Sequence, residues 1–406
     1  MAEARVFEYE VREADGKITK GKLEASSQAQ VATKLRGLGV APLSIKEVST
    51  GGMHTEIKIG GGRVKLKDLA VTTRQIATMI SAGLSLLRSL TIVSEQAENA
   101  TLRKVLGQVR GDVESGQSLS SAVAQHRDVF PPLMINMIRA GEVGGFLEES
   151  LDSVANNFEA EVKLRGQVKS AMTYPMVVFV MAILATFGML IFIVPIFKGM
   201  FEDLGGKLPA MTQMLVTASE SMRFVVPVLV VGITAFTVWW RKNKNKDAVR
   251  AVYQPATLRV PVFGALVKKI AISRFTRNLG TMVGAGVPIL QALDIVGETS
   301  GQWSVEQAVK DVKESVREGK SLAGPLGKHP VFPPMVVQMV ATGEDAGALE
   351  PMLKKVSDFY DAEVESTTAQ LTSLIEPMMI AFLGIVVGGM IVALYMPIFS
   401  IMDLVQ

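Results

Sequence analysis

The chain has 406 residues with 42 basic and 39 acidic side chains, and its mean hydropathy is +0.32. The absence of cysteine excludes a disulfide scaffold and thiolate metal sites, and three histidines leave little material for histidine-rich centres. The balanced charge gives no sign of a nucleic-acid-binding surface, whereas the high hydropathy indicates a membrane protein with a large polar part.

The first 48 residues predict a small N-terminal αβ domain. Apolar and charged residues alternate over 7–11, as in a half-buried strand, and Asp15-Gly16 is a hairpin-turn dipeptide. A helix is expected over 26–38, followed by a last strand around Leu43. The glycine-rich segment 49–66 then predicts a flexible linker.

Residues 67–169 predict a helical bundle of about six short helices. Leu69, Ile76 and Ile80 recur at helical spacing, which gives an apolar stripe on an otherwise polar helix. Pro131 and Pro132 are expected to begin a helix. The stretch from Leu147 to Lys169 contains no proline and predicts a single helix that runs towards the membrane.

Three long runs without a charged residue predict transmembrane helices, since about 20 helical residues cross a bilayer core. The runs are 170–197, 224–240 and 377–402. The middle run is short enough to be a buried core helix, but it ends in Trp239-Trp240, a residue type typical of membrane interfaces. We therefore expect membrane helices at 170–197, 224–241 and 375–398, an external loop at 198–223, and a short external tail at 399–406.

Lysine and arginine placement predicts the orientation. Three basic residues precede the first run, and five follow the second between Arg241 and Arg250. By the positive-inside rule the N-terminus and the segment after the second run face the cytoplasm, and the C-terminus lies outside. The sequence therefore predicts a multi-pass protein of the cytoplasmic membrane.

The chain contains an internal duplication of about 120 residues. At an offset of 203, Thr78–Leu87 matches Thr281–Leu290, and at an offset of 202 the tetrapeptide Val129–Pro132 recurs at Val331–Pro334. The second copy of the bundle is expected over 242–374. Because each copy ends in a membrane helix, the middle helix is needed to return the chain, so that both copies lie on the same side.

No motif of enzymatic chemistry is evident. Gly111 and Gly116 have the spacing of a phosphate-binding loop, but Gln117 stands where lysine is required, and the second copy lacks the first glycine. His126 and His329 occupy equivalent places and are read as structural or solvated, with a pH-sensitive pair as the less favoured alternative. We predict no cofactor and no enzymatic activity.

The acidic residues Glu142 and Glu344 are weak candidates for binding a hard cation such as Ca²⁺. The default reading is a helix-surface carboxylate that faces water or a partner's lysines. Glu376, beside Pro377 at the membrane entry of the last helix, is either a functional intramembrane carboxylate or an interface residue that reaches to water. Gly384 and Gly388 form a weak helix-dimerisation motif.

Together these segments resemble a known family. The sequence KLKDLAVTTRQIATMISAGLSLLRSL at 65–90 is followed by VFPP, GEVGGFLEESL and TYP, and RVPVFGALVKKIAISRF at 259–275 opens a second copy that closes with LIEP. The chain resembles the GspF/PilC family, the polytopic inner-membrane platform of type II secretion systems and type IV pili. The resemblance covers essentially the whole chain.

The resemblance implies a mainly α fold and a scaffold that forms dimers or higher oligomers in the lipid bilayer. It implies contact with a cytoplasmic secretion or pilus ATPase, with pilin or pseudopilin subunits and with other inner-membrane assembly proteins, but none with nucleic acid. The matching motif positions are candidate structural or coupling residues: Gly83, Gly141, Glu142, Gly145, Pro175, Gly286, Gly343, Glu344, Gly347, Glu376 and Pro377. The copies differ at Ala346, where the first copy has Gly144.

Two other functions stay open at this point. A small transporter is disfavoured because the predicted spans contain almost no ionisable residues that could bind a solute. A membrane-anchored sensor would need a ligand pocket or a catalytic motif, and the sequence shows neither.

Overall fold

The computed structural model describes residues 5–12, 18–25, 28–37, 42–47, 62–203, 209–261 and 263–402. The chain divides into two compact units, Met1–Gly61 and Gly62–Gln406, which are described separately.

The N-terminal unit is a three-stranded antiparallel sheet with one helix. Its elements are β1 (Arg5–Arg12), β2 (Ile18–Ala25), α1 (Gln28–Gly37) and β3 (Pro42–Glu47). β1 lies in the centre of the sheet, and its register with β3 shifts between Glu10 and Val11. Val31 and Leu35 of α1 are fully buried. The predicted αβ character is confirmed, while the predicted turn at 15–16 and the predicted helix ends at 26 and 38 lie outside the described residues.

The first repeat consists of five short helices and one long one. They are α2 (Leu66–Ser81), α3 (Leu86–Gln96), α4 (Ala100–Glu114), α5 (Leu119–Ala124), α6 (Pro132–Gly144) and α7 (Leu147–Gly188). Local chemistry sets their starts: the Ser85 and Asn99 side chains accept hydrogen bonds from backbone N–H groups of the first turn, and Pro132 occupies the first turn of α6.

The second repeat has the same order of six helices. They are α11 (Phe263–Gly284), α12 (Ile289–Thr299), α13 (Trp303–Arg317), α14 (Ala323–Leu326), α15 (Pro334–Asp345) and α16 (Leu349–Met402). α12 and α13 begin and end at the offset of 203 from α3 and α4. The duplication seen in the sequence is therefore a duplication of structure.

α7 and α16 connect the bundles to the apolar part of the molecule without a break. α7 has 42 residues and α16 has 54, which correspond to about 63 and 81 Å at 1.5 Å per residue. Their first halves carry buried residues of the bundle core, such as Leu151 and Val356. The predicted single helix from Leu147 to Lys169 is confirmed, and it continues into the apolar segment.

Three helices in the described part of the chain are long and apolar enough to cross a membrane: Leu147–Met200, Ala210–Asn243 and Leu349–Met396. The first includes a π-helical stretch, Met189–Ile193, and α8 (Val194–Asp203); the second is α9 (Ala210–Asn243). Large apolar side chains are exposed on all three helices, for example Phe192 at 69%, Phe224 at 74% and Ile385 at 76%. Surfaces of this kind are expected to face lipid.

The segment predicted as an external loop, 198–223, is mostly helical. α8 continues to Asp203 and α9 already begins at Ala210. The charge pattern alone missed this because Arg223 marks the start of the uncharged run 224–240, although α9 begins earlier and continues through Arg223. After α9, α10 (Asp247–Arg259) precedes the second repeat.

Both repeats contribute to one continuous hydrophobic core. This core includes Phe130, Ile138 and Leu151 from the first repeat and Phe275, Met282 and Leu353 from the second. A separate small cluster packs the apolar helices against each other, formed by Leu190, Val194, Val216, Met390 and Leu394. The mainly helical fold class, with two repeated bundles and three candidate membrane helices, is confirmed.

Candidate functional site

The candidate residues lie in three places: the motif turns of each repeat, the junction of the repeats, and the apolar helices. In the motif turns, Glu142 of α6 accepts hydrogen bonds from the backbone N–H groups of Leu119 and Ser120, at the start of α5. Glu344 of α15 accepts from the N–H of Leu322 with both carboxylate oxygens at 2.9 Å. Each glutamate satisfies free N–H groups at the start of a short helix, where negative charge is favoured.

These contacts define the roles of two weak metal candidates. Both carboxylates accept hydrogen bonds from backbone N–H groups. Because their oxygens are occupied by these donors, they are poorly placed to bind a cation. Within the described residues, no group of three or more His, Asp or Glu side chains is arranged to hold a metal ion. Glu148, another acidic residue of the motif, accepts a hydrogen bond from Ser81.

Gly141 and Gly343 allow the last two helices of each repeat to approach closely. A Cβ atom at Gly141 would lie 2.9 Å from Leu147 Cα and 2.5 Å from Ser150 Oγ. At Gly343 it would lie 3.0 Å from Leu349 Cα. Only glycine fits at these distances without a shift of the long helix, so these positions fix how α7 and α16 leave the bundle.

Three pairs of glycines with positive φ end helices in both repeats. They are Gly83 and Gly286, Gly116 and Gly319, and Gly145 and Gly347. The left-handed conformation is favourable for glycine and closes each helix with a tight turn. Ala346 does not alter the turn, because it is Gly347 that adopts the positive φ. The copies also differ two residues after this position, where the second copy has Ala348 and the first has Phe146. In the first copy the ring of Phe146 fills the space beside Gly144 that a methyl group would occupy.

The repeats meet along a polar junction between α7 and α11. The Glu161 side chain, 11% exposed, contacts the guanidinium of Arg274 at 2.7 Å and that of Arg165 at 2.6 Å. Asn157 donates a hydrogen bond to Asn278 at 3.0 Å. A buried charge of this kind is stable only with its partners in place, so the junction specifies one relative placement of the two bundles.

Each repeat also contains an equivalent ion pair between its first helix and its long helix. Arg74 of α2 contacts Glu159 of α7 at 2.7 Å, and Arg277 of α11 contacts Asp361 of α16. Hydrogen bonds from Arg74 hold the pKa of Glu159 below its usual value, against a smaller opposing effect of burial. Glu161 has a counterpart in Glu363, which pairs with Lys269 inside its own repeat. The link between the repeats is thus made by only one of two equivalent glutamates.

A cleft of about 310 Å³ opens beside this junction between α7, α11 and α16. Its lining includes Arg277 and Lys354 but also Glu350 and Asp358. This mixed charge favours neither an anionic nor a cationic ligand, so the cleft gives the sensor alternative no defined ligand.

The candidate prolines lie inside the long helices. Pro175 is buried within α7, while Pro377 and Glu376 are exposed on α16. Neither proline ends its helix. Because proline has no N–H, the carbonyl four residues earlier loses its helical partner. For Pro175 this carbonyl belongs to Ala171, and its oxygen lies 3.5 Å from the hydroxyl of Thr372 on α16, which also contacts the carbonyl of Thr368 in its own helix at 3.0 Å.

The same arrangement recurs twice on α9. The hydroxyl of Ser219 donates to the carbonyl of Leu190 at 2.6 Å, in the π-helical stretch before Pro195. In that stretch the N–H of Val194 donates to the carbonyl of Met189, five residues earlier. With the same spacing the carbonyl of Leu190 would accept from residue 195, which is a proline and has no N–H. The hydroxyl of Thr212 donates to the carbonyl of Ala393, four residues before Pro397.

Ser219 and Thr212 are seven residues apart, or two helical turns, so both lie on one face of α9. Sequence reasoning missed both residues and Thr372. A signal was present in the repeated PIF motifs at 195–197 and 397–399. The proline of each motif leaves a backbone carbonyl without its helical partner, and in an apolar environment that carbonyl needs another donor.

Comparison with known proteins covers nearly the whole chain. The family profile described as type II secretion system (T2SS), protein F matches residues 72–195 and 275–397, and the N-terminal domain profile of the same protein matches residues 1–46. The type IV pilus assembly protein PilC of Myxococcus xanthus is 41% identical, over 98% of this chain and 96% of its own length. PilC of Thermus thermophilus is also 41% identical, over 98% of each chain, and the type II secretion system protein F of Vibrio cholerae is 31% identical, over 98% of this chain and 99% of its own.

Proposed function

Since this chain belongs to the type II secretion system protein F family, we propose that it is the inner-membrane platform of a type IV pilus or type II secretion assembly machine. Its relatives are named as assembly components and not as enzymes. Identity is higher to the two pilus assembly proteins, at 41%, than to the secretion protein, at 31%, so pilus assembly is the first system to test.

The mechanical continuity of α7 and α16 carries this proposal. Each helix takes part in the core of a bundle and continues into an apolar segment without interruption. A displacement of the bundles by a cytoplasmic assembly ATPase would therefore reach the membrane along two continuous helical rods. The Glu161–Arg274 contact joins the bundles, so that both rods move together.

The proposed topology places the N-terminus and both bundles in the cytoplasm and the C-terminus outside. The basic residues after α9 and the parity of three spans support this arrangement. Pilin or pseudopilin subunits would then meet the platform at its membrane helices, together with other inner-membrane assembly proteins. The prolines at 175 and 377 would be points of bending in the rods.

A homo-oligomer is part of the proposal. At Gly384, Gly388 and Gly389 of α16, a Cβ atom would lie more than 4 Å from every described atom beyond its chain neighbours and the adjacent backbone of its own helix. This stripe of small residues leaves room for close approach by a second copy within the membrane.

The test is co-purification with the assembly ATPase, followed by filament assembly in a strain that lacks the gene. Glu161→Arg is expected to leave ATPase binding intact and to reduce filament assembly at least about tenfold, because the two bundles no longer move together. Glu149→Arg makes the same charge change at an exposed position and should preserve assembly.

Failure of the wild-type chain to bind the ATPase or to restore filaments would contradict the platform function. Reconstituted vesicles address the transporter alternative, since solute flux through the purified chain would favour it.

A further inference from the structure

The end of α9 and the three residues after it form a strongly basic segment, 241–246, called here the basic turn, whose cationic side chains have no partner in the described part of the chain. Arg241, Lys242, Lys244 and Lys246 are all exposed, and none of them forms an ion pair or a side-chain hydrogen bond in the described part of the chain. The nearest acid, Asp247, contacts Arg250. Four unpaired cations within six residues create a local positive field.

This turn follows directly on an aromatic cluster at the end of α9. Phe236 stacks on Trp239 and on Trp240, with ring centroids 6.1 and 5.9 Å apart. Trp240 in turn packs edge-on against Tyr253 of α10 at 4.9 Å. Tryptophan and tyrosine of this kind mark the headgroup level of a membrane helix.

α10 has one face on the second repeat and one face that no part of the described chain covers. On the covered face, Arg250 contacts Glu306 at 2.7 Å, and Gln254 accepts from the backbone N–H of Trp303 at 2.6 Å. The uncovered face is apolar and continues past the end of the helix. It consists of Ala248, Val252, Ala256, Val260 and Phe263, of which Val252 is 73% exposed, and the exposed Arg259 at the end of the helix is the one charged residue among those described on this side.

Chain length keeps this face near the membrane. Only residues 244–246 separate α9 from α10, and such a link spans at most about 14 Å. An apolar helical face beside a row of cations, held at headgroup depth, has the composition of an interfacial helix.

We propose that the basic turn at 241–246 and the uncovered face of α10 bind anionic phospholipids, with Val252 inserted among the acyl chains and the four cations on the headgroup phosphates. The apolar stripe alone would fit any lipid, and the unpaired cations select the anionic ones. The inference rests on α9 crossing the bilayer and does not depend on the ATPase or on filament assembly.

The experiment uses the full chain reconstituted in vesicles that contain both phosphatidylglycerol and phosphatidylcholine. Because the chain has no cysteine, Val252→Cys can carry a single bimane fluorophore. Two vesicle preparations of equal composition differ only in which lipid is brominated. Quenching by brominated phosphatidylglycerol is expected to exceed quenching by brominated phosphatidylcholine at least about fivefold, the factor for one cation near an anionic surface.

Two matched variants separate charge recognition from general effects. R241Q/K242Q/K244Q/K246Q should abolish the preference for phosphatidylglycerol. The control K67Q/R88Q/K104Q/K328Q removes one arginine and three lysines from exposed bundle positions and should retain the preference. A label at Gln108→Cys, exposed on the first repeat, should not be quenched by either lipid.

Absence of quenching at Val252→Cys would overturn the proposal and leave the face to a protein partner. Equal quenching by the two lipids, or a preference that survives the loss of the four cations, would overturn the headgroup assignment. Quenching at Gln108→Cys as strong as at Val252→Cys would overturn it as well, since the effect would then not be specific to α10.

Discussion

At the residue scale, the most informative positions are pairs that do the same work in both repeats. Glu142 and Glu344 each reach back from the fifth helix of a repeat to the start of the fourth. Their recurrence in the two GE dipeptides is explained by this cap, whereas the sequence suggested weak cation sites or surface carboxylates. The cap connects the fourth and fifth helices of each repeat.

We expect Glu142→Ala to lower the free energy of unfolding by about 1–2 kcal/mol, because two N–H groups at the start of α5 lose their acceptor. Chemical unfolding of the purified protein in detergent measures this change. Glu149→Ala, exposed on the same motif, should change it by less than about 0.5 kcal/mol. Equal effects of the two substitutions would contradict the cap.

The two glycine positions 141 and 107 should respond in opposite directions to alanine. Gly141→Ala is expected to destabilise by about 1–3 kcal/mol, since its Cβ would lie 2.9 Å from the backbone of α7. Gly107→Ala, within α4 and facing open space, should stabilise by up to about 1 kcal/mol. Thermal unfolding of the two variants checks the signs, and a stabilising Gly141→Ala would refute the close approach of α6 and α7.

The Arg74–Glu159 pair predicts a dependence of stability on pH. The folded-state pKa of Glu159 lies below its ordinary value of 4.5, so the contribution is complete above that pH and is lost as pH falls through the folded-state pKa. Because Glu159 is 47% exposed, we expect no more than about 1 kcal/mol. The difference in unfolding free energy between wild type and Arg74→Gln should shrink from pH 7 to pH 3, and a difference that grows would reverse the assigned sign.

At the element scale, α9 acts as the tie between the two long helices. Its Ser219 hydroxyl donates to the carbonyl of Leu190, and its Thr212 hydroxyl donates to the carbonyl of Ala393. Both carbonyls lack a helical partner because a proline follows them in the chain. From the sequence alone, we expected α9 only to bring the second repeat back to the side of the first. In the structure it also satisfies the backbone of both neighbours, and this fixes the packing of the three apolar helices.

The double variant Thr212→Val and Ser219→Ala is expected to lower the free energy of unfolding by about 1–2 kcal/mol, which is the range expected for the loss of two interhelical hydrogen bonds within a membrane. Thermal unfolding in micelles gives the measurement. Thr217→Val with Ser221→Ala is the matched control, since those hydroxyls bond carbonyls of α9 itself. If the control loses as much stability as the double variant, the interhelical bonds contribute nothing specific.

At the scale of the whole molecule, the two bundles share one core and one buried charged junction, so they form a single body from which two rods extend. Such a body transmits force only if both repeats lie on the same side of the membrane. Two candidate spans lie between the bundles and would return the chain to the same side, and the distribution of basic residues favours the cytoplasm for that side.

Single cysteines test this topology in intact cells. Ala210→Cys, at the start of α9, should react with a membrane-impermeant thiol reagent, while Gln108→Cys and Lys328→Cys, one in each repeat, should react only after the membrane is permeabilised. The native chain has no cysteine that could confuse the result. Labelling of one bundle but not the other in intact cells would eliminate the shared compartment.

From the sequence alone, the duplication, the three apolar helices and a few helix boundaries within each repeat could be predicted. These features depend on local composition, on periodicity and on identity between two stretches of one chain. All three are properties of the linear sequence and need no knowledge of the tertiary structure. The glycine pairs with positive φ and the prolines at 132 and 334 are examples, because their conformational preferences act within a few residues.

Which residues meet depends on how the helices pack in three dimensions. Glu161 and Arg274 are 113 residues apart, and nothing local distinguishes Glu161 from its equivalent Glu363, which pairs within its own repeat. Likewise, the hydroxyls of Thr212 and Ser219 gain their partners only when three helices pack side by side. Contacts of this kind follow from the relative placement of helices, which depends on the summed packing of the whole core rather than on any local pattern.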